Sequence, residues 1–114
     1  MQKMQQMTFD DLRTIADQIV RVADPLKVIL LGSRARGTER VDSDIDLLVV
    51  AERPINKPWN RRIAIGNMYR SITSFGVPVD ILLFTPDEIS RWQNAKNHIV
   101  HKALTEGAVL YERP

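Results

Sequence analysis

Residues 44–50 read DIDLLVV, and the fold turns on how that stretch is understood. Its apolar run is short and rich in branched side chains, which marks a buried strand. Its first residues are nevertheless acidic. Successive side chains of a strand alternate between faces, so Asp44 and Asp46 share one face about 6.6 Å apart while Ile45 points into the core. Two carboxylates held side by side raise each other's proton affinity unless a cation lies between them. The strand mouth is therefore a candidate site for a hard divalent ion such as Mg²⁺, which takes a few carboxylates and fills its other positions with water and substrate phosphate.

Upstream, KVILL (residues 27–31) is a second short apolar run, ending at Gly32. It follows a predicted helix, TFDDLRTIADQIVRVADP, in which Thr8 is the N-cap, Asp11 stands at the third position, and Leu12, Ile15, Ile19 and Val22 form the apolar stripe. Downstream, a helix is expected from about Trp59 to Phe75, with Ile65, Met68, Ile72 and Phe75 on one face and Gly76 as its stop. VPVDILLF then reads as a third strand. Thr85, Pro86 and Glu88 supply a capping threonine, a proline at the first position and a glutamate at the third, which together start another helix. That helix directs Ile89, Trp92, Ile99 and Ala103 inward, with a break expected near residues 94–97, and ends at Gly107; AVLYE could add an edge strand.

This order predicts an α/β fold, a small mixed sheet packed with helices. The second and third strands are joined through a helix and should be parallel. The first two have only a compact connection and should be antiparallel. Gly32, Ser33, Asp44, Asp46 and Asp80 would then meet at one sheet edge, Asp80 being the lone acid within VPVDILLF.

The bulk composition narrows the chemistry. A length of 114 residues fits a single domain spanning 1–114. The net charge of +2 is too small to argue for nucleic-acid binding. The absence of cysteine removes disulfides and thiol-rich metal sites. No apolar run approaches the ~20 residues that span a bilayer, and MQKMQQM lacks the apolar core of a signal peptide, so a cytoplasmic protein without membrane contact is expected.

Gly32 and Ser33 indicate what a metal here would act upon. Glycine permits close approach to the backbone, and a serine hydroxyl and N–H at the start of a helical turn favour phosphate. Arg34, Arg36 and Arg40 lie in the same connection, where Arg34 and Arg36 could touch phosphate; Arg40, Arg61 and Arg62 read as solvated or partner-facing. His98 and His101 read as surface or packing residues, and Trp59 and Trp92 as core or interface. Each acidic feature has a plainer explanation taken singly: Asp-x-Asp can be turn chemistry, and Asp80 a solvent-facing residue of an alternating strand. Taken together they favour metal-assisted phosphoryl or nucleotidyl transfer.

The stretch GSRARGTERVDSDIDLLVV, with a third acid in VDILLF, resembles the signature of the DNA polymerase beta-type nucleotidyltransferase superfamily. Over nearly its whole extent the chain is similar to minimal nucleotidyltransferase domain proteins, including antitoxins of HEPN toxin–antitoxin pairs. The resemblance implies that Asp44 and Asp46 bind two Mg²⁺ ions, that Asp80 ligates the second and helps take the acceptor's proton, and that Gly32 and Ser33 hold the β and γ phosphates of ATP. It also implies a partner, an all-helical HEPN toxin acting as an RNase, to whose tyrosine hydroxyl AMP is transferred from ATP. A hetero-oligomer with that partner is expected. Two alternatives stand beside this reading: an antitoxin that neutralises by binding alone, and transfer to a small-molecule hydroxyl.

Overall fold

The computed structural model describes residues 8–32, 44–52 and 60–114. Ser33, Arg34, Arg36, Arg40 and Trp59 lie outside them. In chain order the elements are α1 (Phe9–Ala23), β1 (Lys27–Leu31), β2 (Ile45–Val50), α2 (Arg61–Ile72) with a 3-10 turn at Thr73–Phe75, β3 (Val79–Phe84), α3 (Pro86–Trp92), α4 (Ile99–Glu106) and β4 (Ala108–Glu112).

The strands form a four-stranded mixed sheet in the order β3-β2-β1-β4. β1 runs antiparallel to β2 and to β4, while β2 and β3 are parallel. The α/β expectation and both strand relationships agree with this arrangement. The parallel pair needs a long crossover, which α2 provides.

Alternation along the strands divides the core between two faces. Val28, Leu30, Ile45, Leu47, Val49, Ile81 and Leu83 pack with Leu12, Ile15, Ile19 of α1 and Met68, Ile72 of α2. On the other face Ile29, Leu31, Leu48 and Val50 pack with Val100 and Ala103 of α4, joined by Ile89 of α3. With both faces covered, β1 and β2 are apolar almost throughout, as strands inside a two-sided core must be.

The helix boundaries follow the capping residues. Thr8 and Asp11 exchange hydrogen bonds in a capping box, and Thr85 and Glu88 repeat the device at α3. Asn60 accepts from the Ile63 N–H, so α2 starts two residues after the Trp59 of the sequence expectation. Gly76 ends the 3-10 turn in the left-handed region at φ 69°.

Three apolar residues assigned inward from the sequence face solvent instead. Val22 is 48% exposed because the packed stripe of α1 runs through Leu12, Ile15, Ala16 and Ile19 and continues in the last turn through Val20 and Ala23, which turns Val22 outward. Trp92 and Ile99 are 38% and 37% exposed, since the chain breaks between α3 and α4 and the new helix turns Val100 and Ala103 to the sheet. Arg61 is not simply solvated: its guanidinium donates to both carboxylate oxygens of Glu88, at 2.8 and 2.7 Å, tying α2 to α3.

Candidate active site

The site lies at the end of β1 and the beginnings of β2 and β3, and strand register builds it. Leu31 pairs with Asp46 across the antiparallel ladder, and Asp46 pairs with Asp80 across the parallel one. Register partners on neighbouring strands point to the same face, so the Asp46 and Asp80 carboxylates stand side by side. Ile45 is fully buried on the opposite face, which locks the register of the β2 entrance.

Gly32 follows directly on β1 with φ 74°, a conformation that side-chain-bearing residues rarely adopt. A β-carbon there would lie 3.0 Å from Oδ2 of Asp46, so the glycine also leaves room for the carboxylate.

Around these residues opens a cleft of about 420 Å³ lined by Leu31, Gly32, Asp46, Tyr69, Asp80, Ile81, Leu82 and Ile99. Among the described residues its walls are chiefly apolar and its charged groups are the carboxylates of Asp46 and Asp80. Tyr69 reaches it from α2, its hydroxyl accepting the Ile81 N–H at 2.9 Å along the outer edge of β3. Nothing in the spacing of α2 singles out Tyr69, and nothing in that of α4 singles out Ile99 as a site residue; both join the cleft through packing.

Burial, and then the neighbouring charges of Asp80 and Asp44 with a hydrogen bond shared with Asp80, hold the Asp46 carboxyl above its ordinary pKa. The anionic form is thus disfavoured in the isolated domain, and a divalent cation would relieve that cost. Asp46 and Asp80 fit such an ion as adjacent hard oxygen donors. Asp44 is exposed and near enough to act on Asp46 through its charge, but among the described residues no three acidic or histidine side chains close on a common point. An ion held here would depend on water and phosphate for further ligands, as Mg²⁺ ordinarily does.

The histidines stand apart from the carboxylates. His98 caps α4, Nδ1 accepting the Val100 N–H at 3.1 Å, and its ring stacks on Trp92 with centroids 4.5 Å apart. His101 Nδ1 donates to the Gln93 carbonyl at 2.8 Å. Neither lines the carboxylate cleft.

The polymerase beta nucleotidyltransferase family matches residues 13–114. The chain belongs to that family. A protein of Methanocaldococcus jannaschii, named provisionally as a protein adenylyltransferase, is 34% identical over 95 residues, covering 79% of this chain. The chain spans 60% of that relative's length. Among solved structures, a provisionally named minimal nucleotidyltransferase is similar with a TM-score of 0.61 at 24% identity, over 90% of this chain and 95% of the other. A toxin–antitoxin structure with AMP-PNP is similar with a TM-score of 0.60 at 20% identity, over 89% of this chain and 73% of the other. At those identities the two structures speak for the nucleotidyltransferase fold, and the family match for the class of enzyme.

Proposed function

We propose that this nucleotidyltransferase domain moves AMP from ATP, with Mg²⁺, to a hydroxyl of a partner protein, a tyrosine of a HEPN toxin, and so acts as its antitoxin. The observation that carries the reading is the register pairing of Asp46 with Asp80 beside Gly32, two carboxylates and a side-chain-free backbone at one cleft mouth. The adenylyltransferase name of the M. jannaschii relative and the toxin–antitoxin fold neighbour with AMP-PNP support the donor and the kind of acceptor.

In this mechanism Asp46 and Asp80 would hold the divalent ion, with the charge of Asp44 nearby. That ion would supply positive charge to the phosphate oxygens and to the departing pyrophosphate. Gly32 lets the triphosphate approach the backbone, and Ser33 donates to it. Asp80, the more exposed of the paired acids, stands where an acceptor hydroxyl can enter and takes its proton. The hydroxyl oxygen forms a bond to the α-phosphorus as the bond to the α–β bridging oxygen breaks, and pyrophosphate leaves with the electron pair. The apolar walls at Leu31, Ile81, Leu82 and Ile99 would shed water that competes as acceptor once the partner covers the cleft.

The open arrangement of the three acids favours one second reading, an antitoxin that covers the toxin without chemistry. Labelled ATP, Mg²⁺ and a candidate HEPN toxin distinguish the two. Transfer of label to the toxin, abolished by Asp44→Asn and Asp46→Asn, is the expected result. Suppression of toxicity by wild type without any transfer would leave binding alone as the function.

A further inference from the structure

A second hollow, about 110 Å³, adjoins Gly32, lined by Leu31, Gly32, Ile99, Lys102, Glu106 and Gly107. Leu31, Gly32 and Ile99 line the carboxylate cleft as well. The two hollows therefore form one groove that crosses the end of β1, with Gly32 at its middle.

The groove is electrically polarised. Asp46 and Asp80 stand at one end and Lys102 at the other. Lys102 is held there by its helix: Val100 and Ala103 are buried against the sheet, which leaves Ile99, Lys102 and Glu106, at helical spacing, along the groove. The Lys102 ammonium is exposed and makes no ion pair among the described residues. Glu106 lies one turn further along the same wall.

We infer that Lys102 binds the pyrophosphate portion of the nucleoside triphosphate. This rests on the nucleotidyltransferase reading of the carboxylate cleft. Attack occurs at the α-phosphorus, which belongs beside Asp46 and Asp80; the β and γ phosphates must then extend away from those acids. The groove offers them a path over Gly32, which carries no side chain, toward the Lys102 ammonium, which has no ion pair among the described residues. As the bond from the α-phosphorus to the bridging oxygen breaks, negative charge accumulates on the pyrophosphate, and a lysine there favours its departure. Glu106 opposes the same charge and limits how far the phosphate chain can extend.

Equilibrium binding of ATP, AMP and pyrophosphate, each with Mg²⁺, to the full chain tests the assignment without relying on turnover. Lys102→Ala and Lys102→Gln should weaken ATP and pyrophosphate binding by roughly tenfold, the scale of one charge-assisted hydrogen bond, and leave AMP unchanged. Glu106→Gln should strengthen ATP and pyrophosphate binding, a change of opposite sign that a merely structural role does not produce. Wild-type binding of ATP that neither lysine variant alters, or an equal loss of ATP and AMP, overturns the lysine assignment alone. Failure of wild type to bind any nucleotide overturns the nucleotidyltransferase reading on which it rests.

Discussion

A β-carbon on Gly32 would stand 3.0 Å from Oδ2 of Asp46, and this near-contact joins the end of one strand to the working end of the next. A side chain at position 32 would press on that carboxylate and shift it by a few tenths of an ångström.

Gly32→Ala should therefore cost activity as well as stability. The left-handed φ of 74° adds about 1–2 kcal/mol of backbone strain, a loss of several degrees in melting temperature for a domain of this size. Displacement of Asp46 by a few tenths of an ångström should reduce nucleotidyl transfer by about tenfold, less than the roughly hundredfold loss that accompanies misplacement on the order of 1 Å at a reacting centre. Thermal melting and transfer assays on the same preparation separate the two losses.

Replacing an acid of the pair should divide function from stability in the opposite sense. Asp80→Asn removes one of two facing charges, so in metal-free buffer near pH 7 the melting temperature should hold or rise. Transfer should fall by at least about a hundredfold, the range associated with loss of a positioned acid–base group. A lowered melting temperature would mean that Asp80 serves the fold.

The Arg61–Glu88 bridge predicts an acid-dependent term. Burial alone would raise the Glu88 pKa, but hydrogen bonds from Arg61 and Thr85 outweigh it and leave the carboxyl below its ordinary value of 4.5. A depressed folded-state pKa gives stability that is fully present above the unfolded value and disappears as pH falls through the folded one. Both side chains remain partly exposed, at 37% and 29%, which keeps the expected contribution to ~0.5–1 kcal/mol. Melting curves should show Arg61→Ala less stable than wild type above pH 4.5, with the gap closing at lower pH.

Two glycines should respond differently to alanine. At Gly107 a β-carbon would collide with the Ile29 side chain and the carbonyl oxygens of Ala103 and Leu30, none of which can move without disturbing β1 or α4. Gly107→Ala should cost on the order of 3 kcal/mol, the upper range for overpacking in a core. At Gly76 the space is open and only the positive φ resists, so Gly76→Ala should cost about 1 kcal/mol. Denaturant titrations compare them directly.

Local sequence carried much of this protein. The capping boxes at Thr8 and Thr85, the stop at Gly76, the apolar runs of β1 and β2, and the opposed faces of Asp46 and Ile45 follow from propensity and alternation, which act over a few residues. Gly32, Asp44, Asp46 and Asp80 could be nominated because their chemistry is written in residue type and spacing. Tertiary structure decided what those rules leave open. Pairing of Asp46 with Asp80 depends on a parallel register between segments separated by a whole helix, a non-local contact fixed by burial of Ile45, Leu47, Ile81 and Leu83. Packing brought Tyr69, Ile99 and Lys102 to the groove, and the break between α3 and α4 turned Trp92 outward. Sequence supplied the reactive groups; the register of the sheet and the seating of α4 against it determined which of them share a cleft.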